Sequence, residues 1–215
     1  MMHFNSSAIS TMDKIQRLNL INSCTGFKPA NLIGTKSNNG NTNLAVFSSI
    51  THLGSNPALL GFVLRPTTVP RNTYTNLKET KFFTVNHIHK EIIKQAHQTS
   101  AKYEADISEF NRVGLTESFI HKFWAPYVHE SKIKIGCKYQ NEYHIKENDT
   151  ILVVGSIEHI YIEEGIMYRD GWLNLSNART VTINGLDAYA VPELLNRYAY
   201  ARPEKPTTSV LVENA

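Results

Sequence analysis

From Lys132 onward the side chains alternate. Ile133, Ile135, Cys137 and Tyr139 take one parity, and Lys132, Lys134, Gly136 and Lys138 take the other. A period of two is the mark of a half-buried strand, because successive side chains of a strand point to opposite faces. Glu147-Asn148-Asp149 supplies turn residues. Ile151–Ile162 then runs as a second long strand, apolar at first and alternating after Gly155.

The N-terminal half carries the same signal in shorter pieces. Asn31–Lys36 is a short apolar run, and Asn38-Asn39-Gly40-Asn41 follows it. Asn-Gly is a strong hairpin signal, because both residues accept the positive φ of a tight turn. Thr42–His52 is therefore expected as one returning strand. Ser55-Asn56-Pro57 marks a turn, Ala58–Leu64 is a continuous apolar run of strand length, and Phe82–Ile88 is another strand. Helical stretches are expected at Thr11–Leu18, Thr73–Lys81, Glu91–Lys102, twice within Ile107–Phe123, and at Pro192–Tyr198. Strands do not alternate regularly with helices, which argues against a doubly wound parallel sheet. The expected fold is mainly β, a six-stranded antiparallel barrel with helical insertions. No internal repeat or linker divides the 215 residues, so 1–215 is expected as a single domain.

Composition narrows the function classes. Hydrophobic residues make up 41% and charged residues 19%, too apolar for a disordered chain. The formal net charge of +3 gives no argument for nucleic acid. The longest apolar run is Ala58–Leu64, far short of the roughly 20 residues of a membrane helix. There is no basic stretch followed by an apolar one at the N-terminus, and there are only two cysteines, Cys24 and Cys137. A cytoplasmic protein without membrane contact is the expectation. Neither Gly-x-Gly-x-x-Gly nor a P-loop occurs.

Two segments could carry chemistry. In Thr42–His52 the first half is apolar, and the second half holds Ser48, Ser49, Thr51 and His52. Small hydroxyls leave the backbone reachable by a planar ligand with alternating donors and acceptors; an edge strand with hydroxyls facing water fits the same residues. The second segment is Arg65-Pro66-Thr67-Thr68-Val69-Pro70-Arg71-Asn72-Thr73, running from a strand end into a helix with Asn72 or Thr73 as N-cap. A helix N-terminus offers free N–H groups and Arg adds a bidentate clamp, so the segment could hold a phosphate. It could also be an ordinary capped helix with solvated arginines. His87 and His89 lack companions at ligand spacing, and no metal site is expected. No general acid or base is singled out. Glu163-Glu164 reads as a solvated turn.

Several motifs together resemble a known family. Asn43-Leu44-Ala45-x-Phe47-Ser48-Ser49, Gly54-Ser55-Asn56-Pro57-x-Leu59-x-Gly61-Phe62, Arg65-Pro66 with Arg71-Asn72-Thr73-x-x-Asn76, and Phe83-x-Val85-Asn86 resemble the flavin reductase-like proteins with the FMN-binding split-barrel fold. Phe110–Thr116, Leu186–Tyr189 and Tyr200–Pro203 resemble its later motifs, so the likeness spans about Ile21–Pro203, with peripheral tails. The resemblance implies a Greek-key split barrel that binds FMN at a homodimer interface. Phe47, Ser48, Ser49, Ile50 and Thr51 would line the isoalloxazine, and Arg65, Pro66, Arg71, Asn72 and Thr73 would hold the ribityl phosphate. It implies an NAD(P)H-dependent flavin oxidoreductase passing hydride to flavin N5, or a non-catalytic FMN-binding electron carrier or flavin-responsive protein. The expected partners are a nicotinamide, a flavin and a second copy of the chain, with Leu186–Pro203 as part of the shared surface.

Overall fold

Seven strands build the main sheet: β1 (Asn31–Lys36), β2 (Thr42–Phe47), β3 (Thr51–Ser55), β4 (Ala58–Leu64), β5 (Phe82–His87), β6 (Ile133–Ile145) and β7 (Thr150–Ile162). The structure is a computed structural model, and it describes residues 1–69, 71–104 and 106–211. The strand order is β2-β1-β5-β6-β7-β4-β3, with every pairing antiparallel. The sheet has seven strands where six were expected because Thr42–His52 does not stay one strand. It leaves the ladder after Phe47, and Ser48–Ile50 carry the chain across to β3.

That break fixes the curvature. β2 and β3 are consecutive in sequence yet lie at opposite edges of the sheet. Seven flat strands would hold their edges about 29 Å apart, whereas the four Cα steps from Phe47 to Thr51 reach at most about 15 Å. The sheet must therefore roll until its edges approach, although no ladder joins β2 to β3. Ser49 sits in the seam. Its hydroxyl donates to the Val63 carbonyl at 3.1 Å and accepts from the Val63 N–H at 3.0 Å, which pins the linker to β4.

The rolled sheet buries both faces. Ile33, Phe62, Leu64, Phe83, Val85, Cys137 and Val153 fill the inside. There the rings of Phe47, Phe62 and Phe83 stack edge-to-face at 5.4 Å centroid spacings. Leu32 and Leu44 point to the other face, against Ile88, Phe110, Val128 and Val181. Two-sided burial explains why Leu32, Ile33 and Gly34 follow one another in β1 without alternating with polar residues.

Among the described residues five α-helices lie outside the sheet: α1 (Ser6–Thr11), α2 (Lys14–Cys24), α3 (Asn72–Thr80), α4 (Ile93–Gln98) and α5 (Glu109–Val113). The turn expected at Thr11–Leu18 is thus two helices, capped by the side chains of Asn5 and Asp13. Ile107–Phe123 holds one helix, not two. A short strand, Glu117–Ser118, takes the second place and pairs with Tyr127–Val128. Pro192–Tyr198 is not helical. Val210 N–H donates to the Arg197 carbonyl, and the Arg197 guanidinium lies 2.6 Å from Asp170 and over the Trp172 ring, so tertiary contacts hold this stretch in an irregular path. No helix among the described residues is long and apolar enough to cross a membrane.

Candidate functional site

The Phe47–Thr51 segment begins inside the rolled sheet and ends at its edge. Phe47 and Ile50 pack against the inner core, whereas Thr51 is exposed. Ser48, Ser49 and Ile50 lie outside both strand ladders, and no other hydrogen bond among the described residues takes up their main-chain groups. Half-buried peptide groups left unpaired on a non-repetitive stretch suit a planar ligand with donors and acceptors on its rim. The Ser49 hydroxyl is committed to Val63, so that residue can offer a ligand only its peptide.

The Ser49–Val63 bond also fixes where the second segment starts. β4 ends at Leu64, and Arg65 follows it, exposed and without a hydrogen bond or ion pair among the described residues. Pro66 is half-buried, and its carbonyl accepts the Arg71 Nε–H at 3.2 Å, drawing the loop closed; Pro70 lies outside the described residues. The N-cap of α3 is Arg71, not Asn72 or Thr73, and its side chain caps nothing. Thr73 cannot cap because it is buried, its hydroxyl accepting from Asn43 Nδ2 at 3.0 Å. A second inward bond, Asn76 Nδ2 to Thr35 Oγ1 at 3.2 Å, ties α3 to β1. The helix start is therefore held, while Asn72 stays half-buried without a side-chain partner and the Arg71 Nη groups have none among the described residues.

Hydrogen bonds from the Asn43–Ser49 stretch thus anchor both ends of the arginine-bearing arm, Val63 before it and Thr73 after it. The two segments singled out in the sequence form one continuous region.

One cross-strand row was not legible in the sequence. Phe47 opposes Asn31, and Asn31 opposes His87. Directly opposed residues of antiparallel strands share a face, so the three side chains line up at the inner end of β2, β1 and β5. Asn31 is 2% exposed, yet its amide makes no hydrogen bond among the described residues. The buried Nδ1 of His87 also lacks a partner among the described residues. Burial pulls the His87 pKa down from 6.5 to about 4, so the ring is neutral at pH 7. His89 does not join it. It lies past the strand, with its ring nitrogens 2.6 Å from Glu91 Oε2 and 2.9 Å from the Glu130 carbonyl. Asn31 heads its run and His87 closes one that also holds Thr84 and Asn86, so nothing in the sequence marked these two residues as a pair.

The remaining candidates stand apart. Cys137 is buried and its thiol is pushed up by desolvation, whereas Cys24 is exposed. Glu163 is exposed and pairs with Lys132 at 3.3 Å. Two shallow clefts flank the Gly40 turn rather than Phe47–Thr51, and of the predicted site residues only Asn72 borders one of them.

Residues 27–195 match the flavin reductase like domain family. The chain belongs to this family. Among solved structures, this flavin reductase-like protein is similar to one from Shewanella frigidimarina NCIMB 400, assigned provisionally as a flavin reductase with a split barrel domain. That structure is 43% identical, covers 94% of this chain and 100% of its own, and has a TM-score of 0.91. Nitrilotriacetate monooxygenase component B from Bacillus cereus is 18% identical and shares the fold, covering 92% of this chain and 98% of its own at a TM-score of 0.79. An uncharacterized protein of Aquifex aeolicus is 24% identical over 156 residues, 72% of this chain and 79% of that protein.

Proposed function

We propose that this flavin reductase-like protein binds FMN along Phe47–Thr51 and Arg65–Thr73 and is an NAD(P)H-dependent flavin oxidoreductase. The observation that carries the reading is the tethering described above. Peptide groups at Ser48–Ile50 and guanidinium nitrogens of Arg65 and Arg71 that have no partner among the described residues sit on one hydrogen-bonded region. The residues fit the group. The peptide groups suit the rim of a heteroaromatic ring. Arg65, the Arg71 Nη groups and the open first turn of α3 suit a phosphate dianion.

When bound, the flavin supplies the redox chemistry. This chain's residues orient it and exclude water. The Ser49–Val63 bonds hold the ring segment rigid, and the Asn43–Thr73 bond sets the position of the phosphate arm. Peptide N–H groups near a ring carbonyl would favour added negative charge there.

A second copy of the chain is the proposed partner. None of the eleven residues of α2 is buried, and Ile15, Leu18 and Ile21 are exposed along it. An isolated helix of that length is marginal in water, so a covering surface is required. Leu195 at 82% and Tyr200 at 91% exposure make the same demand at the other end of the chain. A two-fold partner would meet both and complete a site that one chain leaves open.

The test is to mix protein, FMN and NADH or NADPH and follow the nicotinamide absorbance band. Sustained oxidation at substoichiometric protein is the expected result. FMN binding without turnover would favour an electron carrier over the enzyme.

A further inference from the structure

We infer that Asn31 and His87 form a neutral polar clamp for an amide- or imide-bearing ring bound beside Phe47. The inference rests on the flavin reading above and extends it to residues that the arginine arm and the Ser48–Ile50 peptides do not include.

Buried polar groups in folded proteins nearly always have partners, and an orphan calls for an explanation. Unpartnered buried atoms also occur at Tyr127, Ser131, Glu142, Asn184 and Arg197, but they are scattered, whereas the His87 Nδ1 has beside it an Asn31 amide that makes no hydrogen bond among the described residues. Asn31 and His87 are different because they are register neighbours on one face, in line with Phe47 and at the end of the strand that leads into Ser48–Ile50. The inside of the sheet here is otherwise hydrocarbon and aromatic, so no charged side chain in the row sets a preference for an ion. The chemistry of the pair is neutral. An Asn amide offers a donor and an acceptor, and an imidazole Nδ1 offers either, according to tautomer. That set matches a carbonyl with an adjacent N–H, the pattern of an imide or a carboxamide. It does not match phosphate, which the arginines would take. Two molecules of the proposed reaction carry this pattern: the flavin ring and the nicotinamide carboxamide.

The experiment uses the full chain with His87→Leu, Asn31→Leu and His87→Asn. FMN and lumiflavin, the ring without its ribityl phosphate, are titrated by fluorescence. The KM for NADH or NADPH and the melting temperature of flavin-free protein are measured alongside. If the clamp holds the flavin ring, both leucine variants weaken FMN and lumiflavin by the same factor, about tenfold each, and shift the visible band of the bound flavin. If it holds the carboxamide, flavin affinity is unchanged while the KM rises about tenfold at constant kcat. In either case His87→Asn, which replaces Nδ1 with an amide, retains most of the function. Flavin-free His87→Leu melts no lower than the wild type, because an unpaired polar group has been removed. Flavin affinities and KM all within twofold of the wild type would overturn the clamp. So would a melting temperature that falls in step with binding, which would mark a purely structural role. A wild-type protein that binds neither FMN nor lumiflavin would overturn the flavin reading itself, and the clamp with it.

Discussion

Burial holds the His87 imidazole near 4 in the fold, against about 6.5 in an unfolded chain. The fold therefore favours the neutral ring. This contribution to stability is complete above the unfolded value and is lost as pH falls from about 6.5 toward 4. Each unit of displacement corresponds to about 1.4 kcal/mol. At pH 4.5 the unfolded ring is almost wholly protonated and the folded ring mostly not, so the loss should be about 2.5 kcal/mol relative to pH 7.5. Other groups titrate over the same range, and the difference between the wild type and His87→Leu removes them. Urea unfolding followed by circular dichroism at the two pH values gives that difference. The acid loss should be about 2.5 kcal/mol smaller in His87→Leu. Equal losses in the two proteins would refute the reasoning, since they would mean that the ring is hydrated or hydrogen-bonded in the fold.

Arg71→Ala should weaken FMN binding by about 1.5–3 kcal/mol, the scale of a charge-assisted hydrogen bond, and riboflavin binding much less. Isothermal titration with both ligands checks this, and equal losses would remove Arg71 from the phosphate site. A Cβ on Gly34 would lie 2.4 Å from the Pro126 carbonyl oxygen and 2.6 Å from Thr84 Oγ1, which are themselves hydrogen-bonded. Backbone must move, so Gly34→Ala should cost about 1–3 kcal/mol in denaturant unfolding. The buried Glu109 carboxylate accepts the Leu44 N–H at 2.9 Å, and desolvation raises its pKa. Its stabilising proton is bound below the unfolded pKa and is lost as pH rises through the folded one. Glu109→Gln should therefore gain on the wild type in unfolding experiments from pH 4 to pH 7. Light scattering at micromolar concentration should return a dimer.

Local chemistry made much of the fold legible. The Asn39-Gly40 turn joins β1 to β2 with Lys36 opposite Thr42, as its dipeptide implied, and the alternation after Lys132 became β6. What escaped was set by distant parts of the chain. Nothing in Thr42–His52 forbids a single strand; the break at Ser48 follows from rolling the sheet, which only the full strand order imposes. Arg71 became the N-cap because Thr73 was drawn inward by Asn43, thirty positions earlier. Pro192–Tyr198 has ordinary helical composition, but the contacts of Arg197 with Asp170 and Trp172 override it. The same division holds for the site. Hydroxyls and arginines clustered in sequence drew attention to the two segments of the proposed site, whereas the Asn31–His87 row exists only through the register of three strands.

The unpaired peptides at Ser48–Ile50 and the guanidiniums of Arg65 and Arg71 form the proposed flavin mononucleotide site. The most direct test is an equilibrium FMN titration of the wild type beside the Arg65→Ala/Arg71→Ala double variant. Saturable quenching of FMN fluorescence at one flavin per chain is expected in the wild type, with a steep loss of affinity in the double variant. Wild-type protein that leaves FMN fluorescence unchanged, or a double variant that binds FMN as tightly, would contradict the proposed site.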